Sequence, residues 1–185
     1  MNRTEHSLSQ NSSNIIIKET SNEDLVNIIS LWNNGEVMSF VGFPNGLGIT
    51  TKEMSEWLNW AIAKPGRCHY SIYHNEIGYC GETFYNVDDI YKTAALDIKL
   101  IPEAQGKGIA EYALRFAIDQ AFQQGKANRV YVDPHSDNLK AWNLYRKLGF
   151  IKETRPEYLE KWDTYLEISR EDWENKKLID NGLQS

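Results

Sequence analysis

The sequence contains few cysteines, and this scarcity limits the chemistry that it can support. Cys68 and Cys80 are the only two, and no histidine pair at metal-binding spacing lies near either of them. A disulfide framework is therefore excluded as the basis of the fold, and no metal site is predicted. We expect both cysteines to be free thiols, buried as small apolar residues on neighbouring strands.

Long hydrophobic runs are also missing. No segment approaches the length of a membrane span, so we predict no contact with a membrane. Residues 1–14 are polar and lack the apolar core of a signal peptide. These features favour a cytoplasmic protein with a loose N-terminal tail at 1–14.

Positive charge is sparse as well. Twenty lysines and arginines stand against 26 acidic residues, which gives a net charge of −6, and the sequence has no basic stripe. A nucleic-acid partner is therefore not expected, whereas a cationic substrate is compatible with this charge. With 185 residues, 41% of them hydrophobic, the chain has the composition of one globular domain. We place that domain at 15–170 and a second tail at 171–185, with a short helix expected to start at 170–173 before the tail frays.

The order of the predicted elements indicates an α+β (mixed α/β) fold. Two helices are expected to begin at capping boxes, the first at Ser21 and the second at Thr50. A third, longer helix ends near Gly125. The predicted strands are 15–17, 68–73, 76–85, 93–100, 130–132 and a final pair within 150–168. Antiparallel neighbours in the middle of this series and a helix before the next strand are typical of a mixed sheet.

A strand, a glycine-rich turn and a helix follow one another in the middle of the chain. Positions 94, 96, 98 and 100 are apolar, whereas Asp97 and Lys99 fall on the opposite face of the strand. Gly106 and Gly108 then lead into the helix. Free N–H groups at such a helix start form an anion site, most often for phosphate. The turn matches neither the P-loop nor the dinucleotide fingerprint.

Two blocks together resemble a known family. The first is Gln105-Gly106-Lys107-Gly108-Ile109-Ala110, which fits the pattern Gln/Arg-x-x-Gly-x-Gly/Ala. The second is Asn138-x-x-Ala141-x-x-Leu144-Tyr145-x-x-x-Gly149-Phe150. In this order they resemble the GNAT superfamily of acetyl-CoA-dependent N-acetyltransferases, in detail over about 93–152. The resemblance implies a central, mostly antiparallel, twisted sheet that is flanked by helices and splayed at the cofactor site.

The resemblance also implies acetyl-CoA as co-substrate and gives roles to particular residues. The backbone of Ile98, Lys99 and Leu100 would hold the pantetheine arm and the thioester carbonyl. The backbone of Gln105, Gly106, Lys107, Gly108, Ile109 and Ala110 would hold the pyrophosphate. Asn138 would bind the amide arm, cap its helix, or do both. Tyr145 would contact the cofactor and act as general acid, since a phenol can protonate a departing thiolate; its alternative role is core packing.

The general base stays open at this point. Related enzymes often place a glutamate on the motif strand, but the matching position here is near Ala95. Asp97 and Glu82 are the candidate catalytic carboxylates. Asp97 can instead pair with Lys99, and Glu82 can instead be exposed on its strand. His135 and a chain of water molecules are the remaining options.

We therefore expect an N-acetyltransferase that works by direct attack in a ternary complex, as a monomer or homodimer. The segment from Trp32 to Met38 resembles enzymes that act on N-terminal amines of ribosomal proteins, whereas 132–150 is similar to aminoglycoside 6′-N-acetyltransferases. The acceptor is thus a small cationic amine or a peptide N-terminus. Residues 36–48 form either a short buried helix with a packed turn or a wall of the acceptor pocket. The alternatives are a longer acyl donor, such as succinyl-CoA, and an acyl-CoA sensor without transfer activity.

Overall fold

The computed structural model describes residues 14–182, which fold around one seven-stranded sheet. The strands are β1 (Ile15–Glu19), β2 (Arg67–His74), β3 (Gly78–Val87), β4 (Thr93–Leu100), β5 (Arg129–Val132), β6 (Ile151–Lys152) and β7 (Leu166–Ser169). The α-helices are α1 (Leu25–Trp32), α2 (Gly35–Met38), α3 (Thr51–Ile62), α4 (Ile109–Gln123), α5 (Leu139–Lys147) and α6 (Arg170–Asp180). No helix in this described range has both the length and the apolar character needed to cross a bilayer.

Both predicted capping boxes are present. The backbone N–H of Ser21 donates to the Asp24 carboxylate at 2.8 Å, and that of Thr50 donates to Glu53 at 2.8 Å. These bonds satisfy donors that would otherwise be free at the helix starts. The apolar faces of α1 and α3 then pack on each other through Leu25, Ile28, Met54 and Leu58.

The strand order is β1-β2-β3-β4-β5-β7-β6, and only the β4–β5 pair is parallel. This topology confirms the expected α+β fold with a mostly antiparallel sheet flanked by helices. Cys68 lies on β2 and Cys80 on the neighbouring β3, and both are free thiols. Cys80 is fully buried, whereas Cys68 is only partly so.

Strand β4 leaves its parallel neighbour after three residue pairs. Thr93, Ala94 and Ala95 pair with Arg129–Tyr131 of β5, and among residues 14–182 those of β4 after Ala95 have no partner strand on that side. Strand β5 ends at Val132, where Asp133-Pro134 follows; proline has no N–H to give to a ladder. The two strands therefore splay as expected, and one edge of β4 is open.

Helices cover the sheet on both faces. Tyr70 of β2 and Leu96 of β4 belong to the same buried cluster as Leu114 of α4. On the opposite face, the His69 ring stands edge-on to Trp57 of α3, with their centroids 4.8 Å apart. Because side chains alternate along a strand, Asp97 and Lys99 point away from α4.

The C-terminal segment corrects one prediction. Residues 170–180 form helix α6 and belong to the domain, so the tail predicted at 171–185 is wrong as far as Asp180. Trp173 of α6 is fully buried, and its indole N–H donates to Asp119 of α4 at 2.8 Å. An apolar ring of this size holds the helix on the core. The predicted N-terminal tail lies outside the described residues, apart from Asn14.

Candidate active site

A cavity of about 1210 Å³, the main cavity, opens beside the free edge of β4. Its volume exceeds that of a pocket for a drug-sized ligand, which is roughly 300–1,000 Å³. The two sequence blocks meet here, although more than 20 residues separate them along the chain. Its lining includes Ile98, Lys99, Leu100, Gln105, Asn138 and Tyr145.

The glycine turn supplies unpaired N–H groups at the start of α4. Gly106 and Gly108 have φ angles of 73° and 78°, and a Cβ added to either would meet no atom within 4 Å. The first helical bond at this end runs from the N–H of Tyr112 to the carbonyl of Gly108 at 3.1 Å. The N–H groups before Tyr112 therefore have no partner within the helix, as at any helix start. Together with the helix dipole they form an anion site.

Tyr145 lies on the inner face of α5 and borders the main cavity. Its side chain is 6% exposed and packs on Phe150, with ring centroids 5.6 Å apart. In residues 14–182, its hydroxyl forms no hydrogen bond with a protein group and is not sealed from the cavity. Burial raises the pKa of Tyr145, and the charges of Asp97 and Asp133 raise it further. The phenol is therefore protonated near neutral pH and free to donate.

Asn138 caps helix α5. Its side-chain oxygen accepts the N–H of Ala141 at 3.1 Å. The residue also lines the main cavity, where its amide N–H₂ group remains available to a ligand. The capping role is confirmed, and cofactor binding stays a prediction.

Asp97 stands where the main cavity meets a second, smaller one. Its carboxylate accepts the N–H of Ile98 at 2.8 Å and pairs with the Lys99 ammonium. About half of the Asp97 side chain is exposed, so a ligand can still reach it. The smaller cavity, which we name the aromatic hollow, is lined by Trp32, Trp57, Trp60, His69, Glu82, Phe84, Asp97 and Lys99.

Glu82 lies at the floor of the aromatic hollow and does not border the main cavity. The alternative that it is exposed on its strand is wrong, because it is 2% exposed. Its carboxylate accepts the Trp32 indole N–H at 2.6 Å and lies 3.0 Å from His69 Nε2 and 3.4 Å from Lys99 Nζ. Burial alone would raise the pKa of Glu82, but His69 and Lys99 outweigh burial and lower it to about 2. A carboxylate held in this way is a weak proton acceptor.

The sequence matches the model of a known protein family. The model for the acetyltransferase (GNAT) domain matches residues 14–151. The chain belongs to the GNAT acetyltransferase family.

Curated relatives share parts of this GNAT chain. Spermidine N(1)-acetyltransferase of Escherichia coli (strain K12) is 36% identical over 67 residues, which are 36% of either protein. The putative ribosomal N-acetyltransferase YdaF of Bacillus subtilis (strain 168) is 27% identical over 105 residues, 53% of this chain and 57% of that protein. The chain thus spans about a third of the length of the spermidine relatives that it matches.

Solved GNAT structures share the fold. Spermidine N-acetyltransferase from Vibrio cholerae, in complex with CoA and spermine, superposes with a TM-score of 0.75 at 23% identity. The match covers 88% of this chain and 99% of that one. A GNAT acetyltransferase from Streptococcus pneumoniae gives a TM-score of 0.69 at 20% identity, over 84% and 99% of the two chains. At these identities the likeness concerns the fold.

Two of the residues assigned to the cofactor do not line the main cavity of this GNAT domain. The side chain of Ile109 is 1% exposed and packs in the core, and Lys107 is exposed at the surface. The role in phosphate binding that is predicted for these two residues rests on their backbone N–H groups. Gly106, Gly108 and Ala110, which alternate with them along the turn, do border the cavity.

Both alternatives for the segment 36–48, a short buried helix and a wall of the pocket, hold in part. Residues Gly35–Met38 form helix α2, which Asn34 caps, and a single 3₁₀ turn follows at Ser39–Val41. Glu36, Val37, Phe40 and Val41 line the main cavity. Met38 of the helix is buried, whereas Phe40 in the 3₁₀ turn is 43% exposed and belongs to the cavity wall.

Asp133 was not singled out as a site residue, yet it borders the main cavity beside the splay. Arg155 holds its carboxylate at 3.2 Å. Burial raises the pKa of Asp133, and Arg155 opposes that shift. The one feature of the sequence that points to Asp133 is its position directly after β5, the strand that neighbours β4. His135 lines the same wall and packs near Phe40, with ring centroids 5.9 Å apart.

Proposed function

We propose that the protein is an N-acetyltransferase that moves an acetyl group from acetyl-CoA to a primary amine by direct attack in a ternary complex. The observation that carries this proposal is the meeting of three features at one cavity. These are the open edge of β4, the unpaired N–H groups of the glycine turn, and the free hydroxyl of Tyr145. Together they suit the arm, the pyrophosphate and the leaving thiolate of one donor molecule.

The donor would bind mainly through backbone groups. The turn at 105–110 suits the pyrophosphate, and the edge at 98–100 suits the pantetheine arm and the thioester carbonyl. Asn138 adds one side-chain amide to this set. Acetyl-CoA brings the activated acyl group, and the residues of the chain orient it and stabilise the charge that develops on its carbonyl oxygen.

Tyr145 would supply the proton for the departing thiolate. Its raised pKa keeps the proton on the oxygen until the thiolate departs beside it. The same exclusion of water that raises the phenol pKa also disfavours the thiolate anion, so the departing sulfur can take the proton from the phenol. No covalent enzyme intermediate is required by this arrangement.

The acceptor would be a cationic amine in its resting state. Glu36, Asp97 and Asp133 all border the main cavity. Carboxylates at these positions attract an ammonium group. Asp97 is our candidate for the base, because it is reachable from the main cavity. Glu82 is assigned to positioning Lys99 and His69, although it was a catalytic candidate on the sequence alone.

A panel of amines tests the proposal. CoA thiol release from acetyl-CoA, corrected for hydrolysis, should depend on a primary amine and be poor with anionic acceptors such as glutamate. The rate of thiol release with succinyl-CoA as the donor shows whether the site accepts a longer acyl chain. Binding of acetyl-CoA without amine-dependent release would identify a sensor, and a strict preference for anionic acceptors would contradict the acidic acceptor site.

A further inference from the structure

The aromatic hollow is a separate compartment of about 230 Å³ on the α1/α3 face of the sheet. Three indoles, from Trp32, Trp57 and Trp60, and the ring of Phe84 line it. It shares Phe84, Asp97 and Lys99 with the main cavity, so the two compartments adjoin at Asp97. A cavity of about 150 Å³ is enough to bind benzene in an engineered protein. The hollow is therefore large enough for one aromatic ring.

The charged groups of the hollow are largely paired with one another. Both oxygens of Glu82 already have protein partners, namely Trp32 and Lys99 on Oε1 and His69 on Oε2. The Lys99 ammonium also pairs with Asp97. Of the two carboxylates, only that of Asp97 is substantially exposed. Asp97 can therefore pair with one incoming ammonium group, which would lie where the two cavities adjoin.

Lys99 disfavours a second ammonium group inside the hollow. Its Nζ lies 5.7 Å from the centroid of the Trp32 ring, where it takes the place that a cationic ligand would occupy. The face of Trp60 is likewise covered by the Arg67 guanidinium, whose central carbon is 3.6 Å from the ring centroid. A further cation would meet these like charges, whereas an uncharged flat group would meet indole surface.

We propose that the aromatic hollow binds an uncharged, flat apolar group of the acceptor, with the reacting amine beside Asp97. The acceptor is then an arylalkylamine rather than a polyamine. This inference rests on the proposed acetyl transfer and specifies its substrate class. The ammonium first gives one proton to the base, for which Asp97 is the candidate. The neutral amine nitrogen then attacks the thioester carbonyl carbon, the C–S bond breaks, the sulfur takes a proton, and the nitrogen loses its second proton.

Trp60 offers the most selective test. It is 53% exposed, so truncation leaves the core intact, and Ile62 on the same helix is 60% exposed and does not line the hollow. In the wild type, kcat/KM for phenethylamine should exceed that for putrescine and for n-butylamine. Trp60→Ala should lower the phenethylamine value on the order of tenfold and change the n-butylamine value little, and Ile62→Ala should change neither. Equal values for phenethylamine and n-butylamine, or loss with Phe40→Ala in place of Trp60→Ala, would overturn the proposal.

Calorimetry separates this inference from the proposed function. Phenethylamine binding is measured in the presence of CoA, with the wild type and Trp60→Ala. If Trp60→Ala weakens phenethylamine binding but no amine is turned over, the aromatic hollow is supported as a binding site and the proposed acetyl transfer is refuted. Turnover of amines without a preference for the aryl group refutes the hollow alone.

Lys99→Met tests the role of charge. The substitution keeps an unbranched side chain that is one atom shorter and removes the ammonium, so the hollow should become able to hold a cation. The ratio of kcat/KM for putrescine to that for phenethylamine should rise on the order of tenfold. An unchanged ratio in a folded Lys99→Met variant would show that Lys99 does not exclude polyamines.

Discussion

Tyr145 and Tyr79 are both largely buried phenols, yet their hydroxyls have different surroundings. Tyr145 lines the main cavity, where its hydroxyl is proposed to meet the leaving thiolate. The Tyr79 hydroxyl is sealed in the protein and is the one buried side-chain polar atom without a partner in residues 14–182. Burial raises the pKa of both phenols. Only Tyr145 can therefore exchange a proton with a ligand.

Tyr145→Phe removes the hydroxyl and keeps the ring. Turnover should fall on the order of 10²-fold or more, with little change in acetyl-CoA affinity and in the free energy of unfolding. Steady-state kinetics, calorimetry and urea unfolding measure the three quantities. Tyr79→Phe is the matched control, since it removes a hydroxyl without a partner and should leave turnover unchanged and stability equal or higher. Wild-type turnover by Tyr145→Phe across the pH range would remove Tyr145 from the mechanism.

Glu82 links pH to stability. Its folded pKa of about 2 lies below the ordinary value of 4.5, so its ionised form stabilises the fold above about pH 4.5. That contribution should disappear as the pH falls from about 4.5 to about 2. Urea unfolding at several pH values should show a shallower acid dependence for Glu82→Gln than for the wild type. Identical slopes would mean that Glu82 is not selectively stabilised in its charged form.

At the scale of elements, the turn before α4 depends on glycine in two ways. Gly108 adopts a positive φ, and it leaves open space where the donor pyrophosphate is proposed to approach. Gly78, the first residue of β3, has a φ of 83° and equally open surroundings, but it is not among the residues that line the main cavity. Both positions have a positive φ that favours glycine, and they differ in their proposed contact with a ligand.

Gly108→Val should weaken acetyl-CoA binding at least tenfold in calorimetry, because a branched side chain would stand in the anion site. Gly78→Val should leave that affinity unchanged. Both variants should lose a similar free energy of unfolding, about 1–3 kcal/mol, because valine is strained at positive φ. If acetyl-CoA affinity were unchanged in a folded Gly108→Val variant, the phosphate site would lie elsewhere.

At the scale of the whole molecule, helix α6 closes the core from the C-terminal side. Arg170 donates to the backbone carbonyls of Phe122 and Ala127 at 2.5 and 2.6 Å, and Trp173 fills the space beside α4. Helix α6 therefore links β7 to α4, the helix that follows the glycine turn. Its loss would loosen the element that presents the anion site.

Trp173→Ala should lower the free energy of unfolding by about 3–5 kcal/mol, since it removes a fully buried indole and leaves a cavity. Trp162→Ala is the control for stability, because Trp162 is 54% exposed, and it should cost less than about 1 kcal/mol. Urea unfolding measures both. A loss below about 1 kcal/mol for Trp173→Ala would mean that α6 contributes little to the core.

Features encoded by neighbouring residues could be predicted from the sequence. The strand at 93–100 was predicted with its observed bounds, because its alternating pattern and the glycines after it are local signals. The capping boxes at Ser21 and Thr50 depend on residues three positions apart. The C-terminal helix was underestimated because one tryptophan in a charged segment gives a weak periodic signal. Its stability comes from docking on the core.

The sequence by itself determined the fold class, the family and the elements that carry the glycine turn and Tyr145. Only the tertiary structure decided which side chains meet at the acceptor side. Trp32 and Glu82 are 50 residues apart in sequence and 2.6 Å apart at their bonding atoms. Asp133 becomes a site residue only because β4 and β5 separate beside it. Contacts of this kind depend on strand pairing and on helix docking, which no local pattern specifies.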